Sequence, residues 1–425
     1  LLDGGHVSVM HRSRRALLAS VAAAALAGCS GDTPSDETDP ATTTTGRSPS
    51  TDPTATSRPE PEEPSSVDAD WPMPGADHGL SNASLDTAGP TTEIGELWHV
   101  DAESELSGPV LAGGIIYVGG DDGTVHAFDA RDGTVWWEQS VGPSAGTPWV
   151  VDDSLVVPTD DGVVSLTTDG QTENWRAETP VRAAFLVAPH GVYYVPDGEG
   201  PELVKLALSD GSERWRVDLG EGVAPPSWKP PVFASDDLVY VSTGTHAAVP
   251  WQFDPESGSY VGDTELRGTG RGHHFPGEKY YLDGFVYASD SFYGDFWAFS
   301  AKPDAYGRRW QTEFMGGSAV LGGELIAGDG ERIFAHNRSE GSFHGLSEGA
   351  GGDWSSDSIG ELVARPAVTD GTVLALTADR LYCFDPQDGA RLWDRSREGI
   401  GTEIAVADDL LFTTDGGTLR AFRSV

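Results

Sequence analysis

The feature that most constrains this chain is a stretch with two tight-turn signals, residues 114–137, GIIYVGGDDGTVHAFDARDGTVWW. Three short runs rich in Ile, Val, Tyr, Thr, Phe and Trp are separated by Asp-Asp-Gly and Arg-Asp-Gly. Asp-Gly tolerates the positive φ angles of hairpin turns, so the stretch predicts a three-stranded antiparallel meander. Such a small sheet is marginally stable alone, because it buries little apolar surface. It needs neighbours of the same kind.

The stretch recurs along the chain, with Ala127-Phe128 as the inner-strand element. Successive counterparts lie 37 to 48 residues apart: Ser165-Leu166, Ala207-Leu208, Gln252-Phe253, Ala298-Phe299, Ala335-His336, Cys383-Phe384 and Ala421-Phe422. A Gly-x-x-x-Trp element closes several units, as in Gly133 with Trp137. This period, with several strands per unit, is typical of propeller blades. The sequence therefore predicts an all-β, eight-bladed β-propeller.

The two ends of the repeat array complement each other. Residues 96–101 carry a blade-closing Trp98 with no sheet before it, whereas residues 402–425 lack a Trp strand. We expect residues 96–102 to complete the last blade, because this pairing removes two free sheet edges that would favour aggregation. The predicted blades are 108–142, 147–180, 183–220, 230–266, 278–314, 318–355, 365–399, and 402–425 with 96–102.

The residues before the repeats predict export. Residues 11–29, HRSRRALLASVAAAALAGC, have a basic head, an apolar middle too short to span a bilayer and a small-residue end. The surroundings of Arg14 and Arg15 resemble the twin-arginine signal, and residues 26–29 resemble a lipobox that exposes Cys29 to lipid attachment. We expect residues 1–28 to be a signal peptide, with Cys29 anchored to the outer face of the cytoplasmic membrane. An uncleaved weak anchor is the alternative.

Residues 29–66 predict a disordered stalk that precedes the propeller domain, residues 67–425. The stalk is rich in Thr, Ser, Pro, Asp and Glu and has too little apolar surface to order itself. Its run of threonines, residues 42–45, is a candidate for O-linked glycosylation. The alternative is an unmodified linker. Asn82-Ala83-Ser84 and Asn337-Arg338-Ser339 match the N-glycosylation sequon, a match that is common by chance.

The formal net charge of −40 excludes nucleic-acid binding, because phosphate backbones would be repelled. Of the basic residues only four are lysines. An acidic surface poor in lysine is typical of a protein soluble in concentrated salt, where the Debye length falls to about 3 Å at 1 M. An acidic interaction surface at ordinary salt is the alternative. The acidic residues are spread over all blades, which favours a halophilic, haloarchaeal source.

The fourth, fifth and sixth units depart from the repeat pattern, and their sequences predict long loops between the strands. Long loops on a rigid scaffold commonly carry binding sites, so we expect any ligand site at these blades. The candidate ligand-binding residues are His246, Asp263, Arg271, His273 and His274. The adjacent histidines favour a solvated turn over a metal site, and no metal is predicted. The degenerate sixth unit is predicted to end in a glycine-rich loop, residues 345–352.

The repeat pattern, a Val-Tyr or Val-Val run, Asp-Gly, Ala-Phe-Asp and Asp-Gly-x-x-x-Trp, resembles the pyrroloquinoline-quinone (PQQ) type β-propeller repeat. That family includes quinoprotein alcohol dehydrogenases and the lipoprotein scaffold of the outer-membrane assembly machine. Asp70-Trp71-Pro72, with Gly75 and Asp77, is similar to the opening segment of the quinoprotein propellers. The resemblance implies the fold, whereas function depends on the site.

The family's dehydrogenases stack PQQ against a tryptophan and an adjacent-cysteine disulfide, with calcium and a catalytic aspartate beneath. This chain has only Cys29 and Cys383, and Cys383 occupies a slot held by Ala in most copies, which predicts a buried small residue. No catalytic residue is carried over. We expect a noncatalytic, monomeric scaffold without a cofactor that binds a protein or glycan. The alternative is a dehydrogenase of alcohols or sugars that uses PQQ and Ca²⁺; a sugar-processing enzyme with paired carboxylates is a third hypothesis.

Overall fold

The computed structural model of the chain describes residues within the unit Glu60–Val425, the second of two units separated at residue 60. These are residues 67, 69–178, 181, 185–196, 202–220, 232–235, 237–241, 251–263, 279–282, 285–290, 295–300, 308–313, 326–328, 332–337, 342–347 and 352–425. They form 33 strands and no helix, so the described part is all-β. It accordingly contains no helix that could cross a membrane.

Two strands, β1 (Ala83–Ser84) and β2 (Ile94–Asp101), precede the sheets in the chain. Four sheets of four strands follow. Sheet 1 contains β3 (Val110–Ala112), β4 (Ile115–Gly119), β5 (Thr124–Asp129) and β6 (Val135–Ser140). Sheet 2 contains β7 (Trp149–Val151), β8 (Ser154–Thr159), β9 (Gly162–Thr167) and β10 (Glu173–Ala177). Sheet 3 contains β11 (Phe185–Ala188), β12 (Gly191–Tyr194), β13 (Glu202–Leu206) and β14 (Glu213–Asp218). Sheet 4 contains β15 (Val232–Ala234), β16 (Val239–Val241), β17 (Trp251–Phe253) and β18 (Tyr260–Asp263).

Four further sheets complete the described fold. Sheet 5 contains β19 (Lys279–Leu282), β20 (Phe285–Asp290), β21 (Asp295–Ser300) and β22 (Arg308–Glu313). Sheet 6 contains β23 (Ile326–Gly328), β24 (Arg332–Asn337), β25 (Ser342–Ser347) and β26 (Gly352–Ser358). Sheet 7 contains β27 (Ala367–Thr369), β28 (Val373–Leu376), β29 (Arg380–Phe384) and β30 (Arg391–Ser396), with β1 added beside β27. Sheet 8 contains β31 (Ile404–Ala407), β32 (Leu410–Asp415) and β33 (Thr418–Ser424), with β2 added beside β33.

Consecutive strands of each sheet are antiparallel neighbours, as the turn signals predict. In sheet 1, β4 is wholly buried, whereas the fourth strand, β6, is exposed or half-buried throughout. Sheets 2, 3 and 7 follow the same gradient from buried inner strands to a largely exposed outer one. The core therefore lies between the inner three strands of neighbouring sheets, where Val, Leu, Phe and Ala are concentrated.

The first strands of the sheets contact one another in chain order. β3 contacts β7, and the series continues through β11, β15, β19, β23, β27 and β31. β31 in turn contacts β3, so the order of contacts returns to its start.

The predicted pairing of the chain ends is confirmed. β2 is antiparallel to β33, with Trp98 opposite Ala421. A second N-terminal contribution has no counterpart in the sequence-based prediction: β1 lies parallel to β27, with Ala83 opposite Val368. Sheet 7 therefore has five strands.

Two of the repeat elements were wrongly placed by the sequence pattern. In sheet 1 the repeat residue Ala127 lies opposite Trp137. In sheet 3 the residue opposite Trp215 is Lys205, and in sheet 6 the residue opposite Trp354 is Gly345. The proposed elements at Ala207 and Ala335 are therefore incorrect. The predicted loop 345–352 is also wrong at both ends, because Gly345 lies within β25 and residue 352 begins β26.

Candidate functional site at the crossing segment

Residues 69–90, which we term the crossing segment, run across the first strands of five different sheets. The segment bonds to their backbones as follows: Trp71 with Leu111, Pro72 with Val150, His78 with Ala234, Gly79 with Tyr281, and Asn82 with Val368. Each of these N–H···O distances is 2.8 or 2.9 Å. The acceptors and donors belong to β3, β7, β15, β19 and β27. The crossing segment thus links sheets that lie far apart in the chain.

Two large side chains secure the segment. Trp71 is only 2% exposed and packs in the core formed by sheets 1, 7 and 8. Met73 is 6% exposed and packs with Trp149 and Leu186 of sheets 2 and 3. Burying such side chains contributes about 1.5–3 kcal/mol each to the free energy of unfolding. The segment is therefore an integral part of the core.

The backbone of the segment is strained at three non-glycine residues. Ala76, Leu80 and Asn82 have φ angles of 68°, 56° and 57°, in the left-handed region. Each costs roughly 1–2 kcal/mol for an L-residue and persists only where its surroundings fix it. Here Arg365 Nη2 donates to the Leu80 carbonyl at 2.6 Å, and Asn82 Nδ2 donates to the Pro366 carbonyl at 2.5 Å.

Asp77 organises the turn at the middle of the segment. Its carboxylate accepts hydrogen bonds from the Ser81 N–H at 3.0 Å and from the Ser81 hydroxyl at 2.7 Å. Burial raises the pKa of Asp77, and the Ser81 hydrogen bonds and the charges of His78 and Arg365 oppose this rise. The turn therefore holds a poorly hydrated carboxyl group beside the Arg365 guanidinium.

A cavity of about 340 Å³ opens beside the crossing segment. Its other walls come from the residues just before the first strands of sheets 1, 2, 7 and 8, namely Gly108, Thr147, Arg365 and Thr402. Each of these residues precedes its strand by two positions. The cavity therefore forms where equivalent positions of several repeats converge.

Glu403 is the acidic group of this cavity. Its carboxylate lies against Gly108, where a Cβ atom would be 1.8 Å from Glu403 Oε2. Burial raises the pKa of Glu403, and a hydrogen bond from the Gly108 N–H opposes the rise. The residue is nevertheless exposed to solvent, because it faces the concave cavity. A carboxylate that is crowded by protein yet accessible to solvent is a typical binding group.

The backbone of Glu403 is also fixed. The Thr413 hydroxyl donates to the Glu403 carbonyl at 2.9 Å and accepts from the Gly401 N–H at 3.0 Å. Thr413 is itself fully buried in β32. The neighbouring strand thus holds the backbone of Glu403, while the Gly108 N–H bonds to its carboxylate and the absent side chain of Gly108 leaves room for it.

The residues predicted from sequence as ligand-binding fall largely outside the described ranges: His246, Arg271, His273 and His274 do so. Asp263 is the last residue of β18, where its backbone lies opposite Trp251. The signal and lipidation residues Arg14, Arg15 and Cys29 also lie outside the described ranges. Where the structure gives side chains, it contains no group of three or more His, Cys, Asp or Glu residues able to hold a metal ion.

The prediction that Cys383 is a buried small residue is confirmed. It is fully buried, its Sγ lies 3.8 Å from the Pro90 carbonyl, and burial raises its pKa. The sequon at Asn82 is disfavoured as a glycosylation site in the folded chain, because the Asn82 amide is used in the hydrogen bond to Pro366.

Sequence reasoning missed Glu403, Arg365 and the cavity itself. A signal was available in the repeat register, because all four wall positions precede a first strand by two residues. The crossing segment, however, has no counterpart in the repeats. Aligning the repeats therefore could not predict which of its residues line the cavity.

Comparisons with known proteins agree with the fold. The profile of the family described as outer membrane protein assembly factor BamB matches residues 94–189 and 160–424, which is more than half of the chain. A curated relative, the outer membrane protein assembly factor BamB of Salmonella typhimurium, is 32% identical over 162 residues, 36% of this chain and 39% of the relative. The aligned part thus spans about two fifths of that relative's length.

Two solved structures share the fold at low sequence identity. BamB from Moraxella catarrhalis has a TM-score of 0.57 and 14% identity, over 78% of this chain and 100% of that one. Quinohemoprotein alcohol dehydrogenase from Comamonas testosteroni has a TM-score of 0.60 and 14% identity, over 83% of this chain and 80% of that one. These neighbours are β-propellers. On the family match, this chain belongs to the PQQ-like repeat family described as outer membrane protein assembly factor BamB.

Proposed function

We propose that this protein is a noncatalytic binding and assembly scaffold, built as an eight-bladed propeller and displayed outside the cytoplasm. The family profile and the curated relative are both named for outer membrane protein assembly. Eight sheets whose first strands contact one another in a cycle support the eight-bladed ring. A protein is the favoured partner, and a glycan remains an outcome of the test.

The observation that carries this proposal is the crossing segment. In a ring of blades the first strands surround the axis, and this segment bonds to the first strands of sheets 1, 2, 4, 5 and 7. Protein backbone and the buried Trp71 therefore fill space that a substrate would otherwise enter. Binding is then left to the outer faces and to the cavity of about 340 Å³.

Cross-linking in the native cells, followed by affinity purification of the tagged chain, tests the scaffold function. We expect the same partner to be recovered in near-stoichiometric amount, and the tagged partner to recover this chain in return. A chain that is always recovered alone, from membranes treated with several cross-linkers, would contradict the proposal. Digestion of the recovered partner by protease or glycosidase distinguishes protein from glycan.

The anchor proposal concerns Cys29, within the LAGC sequence of residues 26–29. Replacing Cys29→Ser removes the thiol that would carry the lipid, and without a buried lipid chain the exported domain loses its hydrophobic attachment to the membrane. We expect the variant to move from the membrane fraction to the medium, whereas Ser30→Ala should remain in the membrane fraction. Equal membrane retention of both variants would contradict the lipid anchor.

The competing hypothesis is a PQQ- and Ca²⁺-dependent dehydrogenase of alcohols or sugars, because the quinohemoprotein alcohol dehydrogenase shares the fold. The described residues do not fit that cofactor. Trp71, which lines the cavity, is 2% exposed and offers no open ring face, and Cys383 is buried beneath Pro90. Reconstitution with PQQ and Ca²⁺ in the presence of a dye acceptor tests this hypothesis. Robust turnover would favour the dehydrogenase over the scaffold.

A further inference from the structure

We propose that the cavity beside Glu403 receives a cationic side chain, lysine or arginine, from a loop of a protein partner. This inference rests on the scaffold function proposed above and specifies what its cavity recognises. It is carried by the charge balance of the cavity, by its apolar rim and by the fixed position of the carboxylate.

Two charged side chains, Arg365 and Glu403, line the cavity, and they differ in the partners that surround them. Arg365 donates to the Leu80 carbonyl at 2.6 Å and lies close enough to Asp77 for the two charges to interact. Glu403, in contrast, accepts a hydrogen bond from the Gly108 N–H, and none of the ion pairs among the described residues includes its carboxylate. A crowded carboxylate without a counter-charge is stabilised when a cation approaches. The cavity is therefore suited to bind positive charge at Glu403.

The shape of the cavity fits a long side chain with a charged end. Leu80, Ile404 and Val363 supply apolar surface, and Val363 is 40% exposed at the cavity. Lysine and arginine bury their methylene stems along apolar surface while their charged groups reach a polar partner. A volume of about 340 Å³ is at the small end of ligand pockets and suits one side chain better than a folded element.

The donor set favours an organic cation over a metal ion. Calcium takes six to eight oxygen ligands, and magnesium requires an octahedron of oxygen ligands. The described residues contain no group of three or more acidic, histidine or cysteine side chains able to hold a metal ion, and Glu403 is the single carboxylate that lines the cavity. One fixed carboxylate matches an ammonium or guanidinium group through charge-assisted hydrogen bonds.

The position of the carboxylate is set before a ligand arrives. Gly108 leaves space for Oε2 that a Cβ would fill, and Thr413 holds the Glu403 carbonyl from the adjacent strand. A binding group that is fixed in advance loses little conformational entropy when a ligand binds. The overall charge of −40 would further attract a cationic surface at low ionic strength.

The test uses N-acetyl-arginine amide as the probe and N-acetyl-citrulline amide as its uncharged counterpart. Ligand-detected NMR titration of the exported domain, residues 30–425, gives both dissociation constants. We expect the arginine compound to bind at least about tenfold more tightly than the citrulline compound. Glu403→Gln should abolish this preference, whereas Glu398→Gln, at an exposed carboxylate outside the cavity, should preserve it.

Equal affinity of the wild-type chain for the two compounds would overturn the proposal without reference to any variant. A preference retained by a folded Glu403→Gln variant would do the same. Repeating the partner purification with Glu403→Gln separates this inference from the scaffold function. If Glu403→Gln recovers as much partner as the wild type, only the cavity contact is refuted. If the wild-type chain itself recovers no partner, the scaffold function is refuted.

Discussion

At the scale of single residues, the repeat motif is explained by contacts between sheets. The indole Nε1 of Trp137 in sheet 1 donates to the Thr168 carbonyl of sheet 2, at 3.0 Å, and the ring lies over Gly170. Trp98, Trp175, Trp215 and Trp354 make the same kind of contact with the following turn. Gly133 and Trp137 of one motif are four residues apart in sequence but serve two different interfaces, because Gly133 lies against Trp98 of sheet 8.

Gly170→Ala tests this interpretation. Gly170 has φ = 68°, and a Cβ there would lie 2.3 Å from Trp137 Cδ2. We expect a loss of unfolding free energy of about 1–2 kcal/mol from backbone strain and roughly 1–3 kcal/mol more from the displaced indole. Chemical denaturation followed by tryptophan fluorescence measures the loss.

Gly113→Ala is the matched control for this substitution. Gly113 has a similar φ of 57° but no atom within 4 Å of the position of its Cβ. It should show the strain cost alone, and an equal loss for the two variants would argue against the packing role of Gly170.

Asp77 gives a second residue-scale prediction, on pH. Burial raises its folded-state pKa, so its contribution to stability is present below the ordinary aspartate pKa and is lost as pH rises through the raised value. Asp77→Asn retains an acceptor for the Ser81 N–H but does not ionise. We therefore expect the stability of Asp77→Asn relative to the wild type to increase as pH rises from 3 to 7, measured by urea unfolding at each pH.

Asp169→Asn should behave in the opposite way. Hydrogen bonds from the Thr167 hydroxyl and the Gln171 N–H lower the pKa of Asp169, so its contribution is present above the ordinary pKa and is lost as pH falls. The stability of Asp169→Asn relative to the wild type should decrease with rising pH. Slopes of the same sign for the two variants would contradict the assignment for Asp77.

At the scale of elements, the crossing segment bonds to the first strands and also supplies a backbone contact between sheets 7 and 8. In sheets 1, 2, 3, 6 and 8 the tryptophan donates to a turn of the next sheet, but sheet 8 has no chain connection between β33 and β2. Trp393 of sheet 7 donates instead to the Pro90 carbonyl, at 2.8 Å. In sheets 1, 2, 3, 4 and 7 this acceptor belongs to the turn between the third and fourth strands. Pro90 takes the place of that turn in sheet 8.

Truncation separates the crossing segment from the residues before it. A chain beginning at residue 67 retains Trp71, Met73 and Pro90, whereas a chain beginning at residue 91 loses them but keeps β2. We expect the second truncation to lower the unfolding free energy by several kcal/mol, since Trp71 and Met73 alone contribute about 1.5–3 kcal/mol each. Differential scanning calorimetry measures both truncations. If the chain from residue 91 has the same melting temperature as the chain from residue 67, the crossing segment does not contribute to stability.

At the scale of the whole molecule, the dominant property is the charge of −40. Described ion pairs such as Arg216 with Glu202 and Glu213 offset only a small part of it. The remaining carboxylates repel one another, and salt screens this repulsion as the Debye length falls from about 10 Å at 0.1 M to about 3 Å at 1 M. Stability should therefore depend on ionic strength.

We expect the melting temperature to rise more steeply between 0.1 and 2 M KCl than when sucrose is added at 0.1 M KCl. Screening acts on charge, whereas sucrose acts through its exclusion from the protein surface. Calorimetry in the two series measures the difference. A melting temperature unaffected by KCl would contradict the halophilic interpretation and favour an acidic interaction surface.

Much of the fold was predictable because it is encoded by local signals. The Asp-Gly turns and the alternation of β-branched and aromatic residues act over a few residues, and the pairing of residues 96–102 with the last unit followed from counting strands. The register failed where a repeat departs from its pattern. Lys205 occupies the slot of Ala127 because its amine reaches the Pro255 carbonyl at 2.6 Å, and no local signal announces that contact.

The sequence by itself determined the repeat, its strand-and-turn pattern, the pairing of the chain ends and the acidity. These depend on short-range backbone preferences or on composition. Only the tertiary structure decided that residues 69–90 cross the first strands and that Glu403 faces a cavity. The bond from Asn82 to Pro366 joins residues 284 positions apart. Such contacts depend on how the sheets are arranged in space, which neither partner's sequence neighbourhood specifies.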